Sequence, residues 1–138
     1  MRKTIIFTLG CLLLPLIACK GKPEETFTAT TSGDYKVIIR TQEFHHSGTV
    51  NVDVCFADAN DASFPTKETQ CFLHGYDFSD LTASWKSQTE LVMNFRCGRV
   101  DSFRNNAFVY GDSPVPQEFY IYLNDACTLH DRTGDTKQ

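Results

Sequence analysis

Apolar and polar residues alternate along most of this chain after its first 25 residues, and no long segment has apolar residues at helical spacing. Strict alternation predicts half-buried β-strands, because successive side chains of a strand point to opposite faces. Strands are predicted over 26–31, 35–44, 49–57, 81–85, 91–97, 100–104, 107–110 and 119–123. Residues 72–80 fit either a short strand or a turn. The spacing predicts an all-β domain, either an antiparallel sandwich, Ig-like in shape, or a small barrel.

Two strands show the pattern best. Over 49–57, Val50, Val52, Val54 and Phe56 fall on one face, and Asn51 and Asp53 fall on the other. In the last strand Phe119 and Ile121 alternate with two tyrosines, which should face solvent.

The intervening segments carry turn chemistry. Turns or loops are expected at 32–34, 45–48, 58–70, 86–89 and 111–116. Asn105-Asn106 predicts a two-residue hairpin between 100–104 and 107–110, because asparagine tolerates positive φ.

The first 18 residues differ from the rest. Arg2 and Lys3 precede a short apolar run, too short for a permanent membrane span of about 20 residues. The run ends at Leu16-Ile17-Ala18-Cys19, which resembles the lipobox of bacterial lipoprotein precursors. The resemblance implies a signal peptide over 1–18 and acylation of Cys19, the first mature residue. Lysine at position 20, where an aspartate favours inner-membrane retention, implies the outer membrane, on its periplasmic side.

The mature chain is predicted to have a lipidated cysteine and tether over 19–26, a β-sandwich domain over 27–130 and a disordered tail over 131–138. The net charge of −4 argues against a nucleic-acid partner, which requires clustered Lys and Arg.

Four cysteines remain after the signal and Cys19 are set aside: Cys55, Cys71, Cys97 and Cys127. An even number in an exported domain predicts disulfides, and four cysteines allow three pairings. We favour Cys55–Cys71, which closes a polar loop, and Cys97–Cys127, which ties a central strand to the last one. A zinc site is disfavoured because no C-x-x-C pair occurs.

Candidate chemistry is sparse. The histidines His45, His46, His74 and His130 could meet at a metal only through the fold, and the Asp58–Asp61 loop departs from the EF-hand pattern. No G-x-S-x-G motif, free thiolate candidate or glycine-rich phosphate loop is present. We therefore predict that the chain is not an enzyme and that it has neither a cofactor nor a dedicated metal site.

Aromatic residues cluster in the last third. The candidates for a protein-binding patch are Phe103, Arg104, Tyr110, Tyr120 and Tyr122, with Phe108, Arg96 and Arg99 nearby in sequence. Tyrosine and arginine are enriched at interface hot spots. The alternative is a second apolar layer or ordinary cross-strand pairing.

These expectations combine into a lipid-anchored envelope protein that binds another envelope protein, such as an inhibitor or immunity protein against a toxic envelope enzyme. One alternative is an accessory subunit of an envelope or secretion assembly. Another is a binder of a small ligand or metal using His45, His46 and the Asp58–Asp61 loop.

Overall fold

The computed structural model describes residues 22–110 and 114–127. The predicted signal peptide, Cys19, His130 and the tail over 131–138 lie outside these ranges. Nine strands form within the described residues, together with one 3-10 turn over Glu68–Gln70. The strands are β1 (Glu24–Ser32), β2 (Tyr35–Phe44), β3 (Thr49–Asp58), β4 (Cys71–Ser79), β5 (Thr82–Trp85), β6 (Glu90–Phe95), β7 (Cys97–Phe103), β8 (Asn106–Val109) and β9 (Gln117–Asp125).

The strands form two packed sheets, so the protein is a β-sandwich. The large sheet has the order β1-β2-β3-β4-β7, and the small sheet has the order β5-β6-β9-β8. All neighbours are antiparallel except β6 and β9, which run parallel. The all-β prediction is confirmed, with one parallel pair that the pattern did not indicate.

The core lies between the sheets and consists of the inward residues of the alternating strands. Val54, Phe56, Leu91 and Phe119 are completely buried. The Phe56 ring stacks on the Phe119 ring with centroids 4.4 Å apart, and this contact joins β3 to β9. Burying such side chains is the main force that holds the sheets together.

The two disulfides are Cys55–Cys71 and Cys97–Cys127, the pairing that the sequence analysis favours. The first joins the neighbouring strands β3 and β4. The second joins β7 of the large sheet to the segment after β9 of the small sheet. One bond therefore closes a loop on one sheet, and the other crosses between sheets.

Two predicted elements were wrong where the chain changes sheets. The expected hairpin at Asn105-Asn106 does not form, because β7 and β8 belong to different sheets. The Arg104 amide donates to the Phe72 carbonyl of the large sheet, and the Asn105 carbonyl accepts from the Ile121 amide of the small sheet. The strand predicted over 91–97 ends at Phe95, and Cys97 begins β7.

The predicted tether is shorter than expected. Residues 24–26 were assigned to it, but they form the start of β1 and pair with residues 41–43 of β2. The pairing continues without a register shift to Ser32, where Gly33 has a φ of 59° in the hairpin turn. Pairing with β2 satisfies the backbone N–H and C=O groups of residues 24–26, which explains why these polar residues join the sheet.

The ambiguous segment 72–80 is a strand with irregular pairing. Asp77 has a φ of 55°, and its carboxylate accepts a hydrogen bond from the Val50 amide over 3.1 Å. After this irregularity the Phe78 side chain turns towards the core. A Cβ placed on Gly98 would lie 2.3 Å from the Phe78 ring, so glycine is required for this close packing.

Candidate functional site

The outward face of the small sheet and the residue that follows β8 together carry four exposed aromatic side chains, which we call the tyrosine face. Tyr110 is 58% exposed, Tyr120 48%, Tyr122 46% and Phe108 36%. They protrude because their neighbours Ala107, Val109, Phe119 and Ile121 face the core. The prediction that Tyr120 and Tyr122 face outward is confirmed.

The hydroxyl groups of the two central tyrosines are anchored by carboxylates. The Tyr122 hydroxyl donates to Glu90 Oε1 over 3.0 Å, and the Tyr120 hydroxyl donates to Glu118 Oε2 over 3.1 Å. Lys86 Nζ lies 5.0 Å from the centre of the Tyr122 ring and 3.7 Å from Glu90 Oε1. These contacts restrict the ring positions before any partner arrives, which lowers the entropy cost of binding.

The same hydrogen bonds shift the pKa values of two groups on the tyrosine face. The hydrogen bond from Tyr122 lowers the pKa of Glu90, and smaller contributions come from Ser87 and Lys86. The Glu118 carboxylate raises the pKa of Tyr120 above its usual value. Both shifts favour the forms that glutamate and tyrosine already have at neutral pH, an ionised carboxylate on Glu90 and a protonated hydroxyl on Tyr120.

Amides and a hydroxyl extend the face towards β5. Asn124 Nδ2 donates to Asn94 Oδ1 over 2.9 Å, and Asn94 Nδ2 donates to Ser84 Oγ over 3.4 Å. Tyrosine, serine and asparagine are the residues that antibody loops use most, because tyrosine supplies contact area at low entropy cost and the others supply adaptable hydrogen bonds. The composition of this face is suited to contact with another protein.

The structure separates the remaining predicted patch residues from the tyrosine face. Phe103 is half-buried and packs against the core. Arg104 lies on the large sheet, where its guanidinium donates to the carbonyls of Glu68 and Cys71. The arginines expected beside the tyrosines also lie elsewhere, because Arg96 Nε is 3.5 Å from Asp80 and the Arg99 guanidinium is 5.0 Å from the Tyr76 ring centre. A lysine, Lys86, contacts the Tyr122 ring.

A row of paired polar residues crosses the outward face of the large sheet. The registers place Arg40, Asp53, His74 and Ser102 directly opposite one another on β2, β3, β4 and β7. Arg40 Nη2 lies 2.5 Å from Asp53 Oδ2, and His74 Nδ1 lies 2.7 Å from Asp53 Oδ1. Asp53 therefore holds a cation and an imidazole at fixed positions.

The polar row lies in a cleft of about 730 Å³ beneath the loop over 58–70. Phe64 of the loop covers Arg40, with 4.2 Å from the guanidinium to the ring centre. The lining residues are Arg40, Asp53, Phe64, Pro65, Thr66, Glu68, Cys71, Phe72, Leu73, His74, Ser102 and Arg104. A cleft of this volume, with mixed apolar and charged walls, lies within the size range of small-molecule sites.

Sequence reasoning missed this cleft. Asp53 was recognisable as an outward residue of a strand, but its alignment with Arg40 and His74 depends on the registers of three strands. Predicting the hairpin around the 45–48 turn would have paired Arg40 with Asp53, since hairpin length fixes register.

The other residues predicted as candidates for binding a metal or a small ligand do not lie together in the structure. His45 and His46 are exposed in the turn between β2 and β3, whereas His74 contacts Asp53. The Asp58 carboxylate accepts a hydrogen bond from the Asn60 amide over 2.9 Å, which closes a local turn. Within residues 22–110 and 114–127, no three His, Cys, Asp or Glu side chains converge on a point that could hold a metal ion. The same ranges contain no helix that could span a membrane.

A comparison with known proteins finds a similarity over most of the chain. The chain is 30% identical over 109 residues to tissue factor from Mus musculus, and the match covers 77% of this chain and 36% of the relative. The chain thus spans little more than a third of the length of the curated relative that it matches. No protein-family model matches the chain, and no solved structure matches it.

Proposed function

We propose that this chain is a lipid-anchored protein of a bacterial envelope that binds another envelope protein through the tyrosine face. The observation that supports this most is the set of exposed aromatic side chains on a regular sheet, two of them with anchored hydroxyls. Tyrosine side chains at the centre of an interface commonly contribute most of its binding energy. The module acts by occupying a surface of its partner and catalyses no reaction.

The charge of the face indicates the chemistry of the partner. Glu90 and Glu118 flank the two central tyrosines, Lys86 is the neighbouring cation, and the whole chain has a net charge of −4. A basic partner surface would be attracted to this arrangement. Inhibition of a toxic envelope enzyme fits such binding, and so does a place in an envelope or secretion assembly. The identity of the co-purifying protein separates these two roles.

Substitution of the two central tyrosines tests the interface. We expect the double variant Tyr120→Ala, Tyr122→Ala to capture its partner from detergent-solubilised envelopes at least about 30-fold less efficiently than the wild-type chain, because hot-spot tyrosines each contribute about 1–2 kcal/mol. Both side chains are nearly half exposed, so the fold should survive. Quantitative mass spectrometry of equal amounts of immobilised protein provides the measurement.

Arg104→Ala is the matched control, because Arg104 lies in the cleft of the large sheet and not on the tyrosine face. We expect this variant to retain capture of the same protein. Equal recovery by the wild type and the tyrosine double variant would refute the assignment of the interface.

The cleft beneath the 58–70 loop supports a second candidate, a binder of a small ligand with an anionic group. Arg104 has backbone carbonyls as its hydrogen-bond acceptors, and His74 has Nε2 on the side of its ring opposite Asp53. Together with Ser102 these groups could bind a carboxylate or phosphate against Phe64. This site replaces the expected one at His45, His46 and Asp58–Asp61. Binding of inorganic phosphate or acetate by the wild-type chain, measured by calorimetry and lost in Arg104→Ala but retained in the tyrosine double variant, would favour the cleft.

The anchor has its own test. We expect Cys19→Ser to abolish incorporation of labelled palmitate and to remove the mature protein from the membrane fraction, because two or more acyl chains are needed for stable attachment. The variant accumulates either as soluble periplasmic protein or as unprocessed precursor. Metabolic labelling and fractionation make the measurement, with Cys11→Ser as the control that keeps the label. Labelling that persists in Cys19→Ser would disprove the lipobox.

A further inference from the structure

Strand β1 forms an open edge of the large sheet. All nine of its residues pair with β2 on one side, and the order of the sheet places no strand on the other side among the described residues. An open edge presents unpaired N–H and C=O groups that can pair with a strand from another chain.

The four edges of the sandwich differ in how they discourage such pairing. β5 and β8 each contain only four residues, and the pairing of β7 with β4 shifts register twice. Short and irregular edges are common protections against edge-to-edge association. β1 has nine residues in regular pairing and contains no proline, glycine or lysine. It is the one long, regular edge within the part of the chain that the structure describes.

The hairpin geometry identifies the groups that β1 has available. Ser32 and Tyr35 flank the two-residue turn and form the hydrogen-bonded pair that closes it. In an antiparallel ladder the hydrogen-bonded residues alternate. The even-numbered residues of β1 therefore bond to β2, and residues 25, 27, 29 and 31 direct their N–H and C=O groups outward.

We propose that two copies of this chain pair through β1, antiparallel and centred on Thr28, so that the two large sheets become one continuous sheet. This register is the one that pairs all nine residues. It places Phe27 opposite Ala29 and Glu25 opposite Thr31. The outward N–H and C=O groups of each copy can then hydrogen-bond to those of the other copy. Glu24 faces Ser32, and no glutamate faces another glutamate.

The side chains also favour a second copy over an unrelated strand. Phe27 is 54% exposed on β1, and the facing Ala29 of the second copy leaves room for its ring. On the opposite side of the strand, Thr26 would face Thr30 and Thr28 would face Thr28. Threonine pairs of this kind stabilise adjacent strands. The edge is thus complementary to itself in size, and this register keeps the glutamates of the two copies apart. This inference is independent of the tyrosine face.

Cysteine cross-linking tests both the dimer and its register. Thr28 would occupy a non-hydrogen-bonded pair with its own copy, where Cα atoms lie about 4.5 Å apart, a distance that a disulfide spans. We expect Thr28→Cys to form a covalent dimer on mild oxidation of the purified full chain. Thr26→Cys and Thr30→Cys should each stay uncross-linked alone and cross-link when mixed. The wild-type chain gives the background, and cross-linking of all single variants to the same extent would refute the register.

Ala29→Pro tests the backbone pairing without a new thiol. The amide of Ala29 points away from β2, so proline removes an outward donor while the β1–β2 hydrogen bonds remain. By analytical ultracentrifugation we expect a wild-type dimer and at least a tenfold weaker association of the variant. A wild-type chain that stays monomeric over the whole concentration range would overturn the proposal, and so would unchanged association of Ala29→Pro.

Discussion

Replacement of Phe56 by alanine should lower the free energy of unfolding by about 4 kcal/mol, the largest loss that we expect from a single substitution. The Phe56 side chain is completely buried, and its ring centre lies 4.4 Å from that of Phe119, 4.8 Å from that of Phe72 and 5.9 Å from that of Trp85. These contacts come from both sheets. The substitution would therefore leave a cavity at the interface of the sandwich, where rigid strands limit the collapse of their neighbours.

Urea unfolding with intact disulfides measures this loss, and Phe108→Ala is the matched control. Phe108 is 36% exposed on the small sheet, so we expect its replacement to cost less than about 1 kcal/mol. Equal losses for the two variants would contradict the placement of Phe56 at the centre of the core.

Removal of the disulfide between the sheets should have the next largest effect. Cys97 and Cys127 are 30 residues apart, and the chain-entropy relation gives about 3.6 kcal/mol for a loop of that length. For Cys55–Cys71, with a separation of 16, the same relation gives about 3.1 kcal/mol. We expect both double alanine variants to melt well below the wild type, and the Cys97→Ala, Cys127→Ala variant to be the less stable.

Single substitutions provide a check on the pairing. Cys97→Ala should leave one reactive thiol, on Cys127, which thiol titration of the unfolded, unreduced protein detects above the wild-type value. A stability loss below about 1 kcal/mol in both double variants would show that the unfolded chain gains little freedom when these loops open.

Local patterns were sufficient to predict most strands and the outward tyrosines. The side chains of a strand alternate with a period of two, so Phe119 and Ile121 could be assigned to the core without knowledge of their neighbours. The cysteine pairing followed from which loops the bonds would close. These features depend on residues that are close in sequence or on a very short list of alternatives.

The changes of sheet at residues 96 and 104–105 could not be predicted in the same way. Asn105-Asn106 suits a tight hairpin and a crossing between sheets equally well, since both require irregular backbone. The choice depends on distant partners, the Phe72 carbonyl on one side and the Ile121 amide on the other.

The split between Tyr120 and Arg104, which were predicted to share a patch, follows from that crossing. The cleft beneath the 58–70 loop depends on strand registers, and sequence patterns alone define those poorly.

The position of β9 has a consequence for how the protein acquires its structure. β9 is the last strand in sequence among the described residues, but it lies in the interior of the small sheet, between β6 and β8. Until residue 117 and those after it are available, β6 and β8 have no common neighbour, and the Phe56 ring lacks its Phe119 partner. A chain that emerges from its N-terminus would therefore keep this side of the sandwich open until β9 had followed the other eight strands.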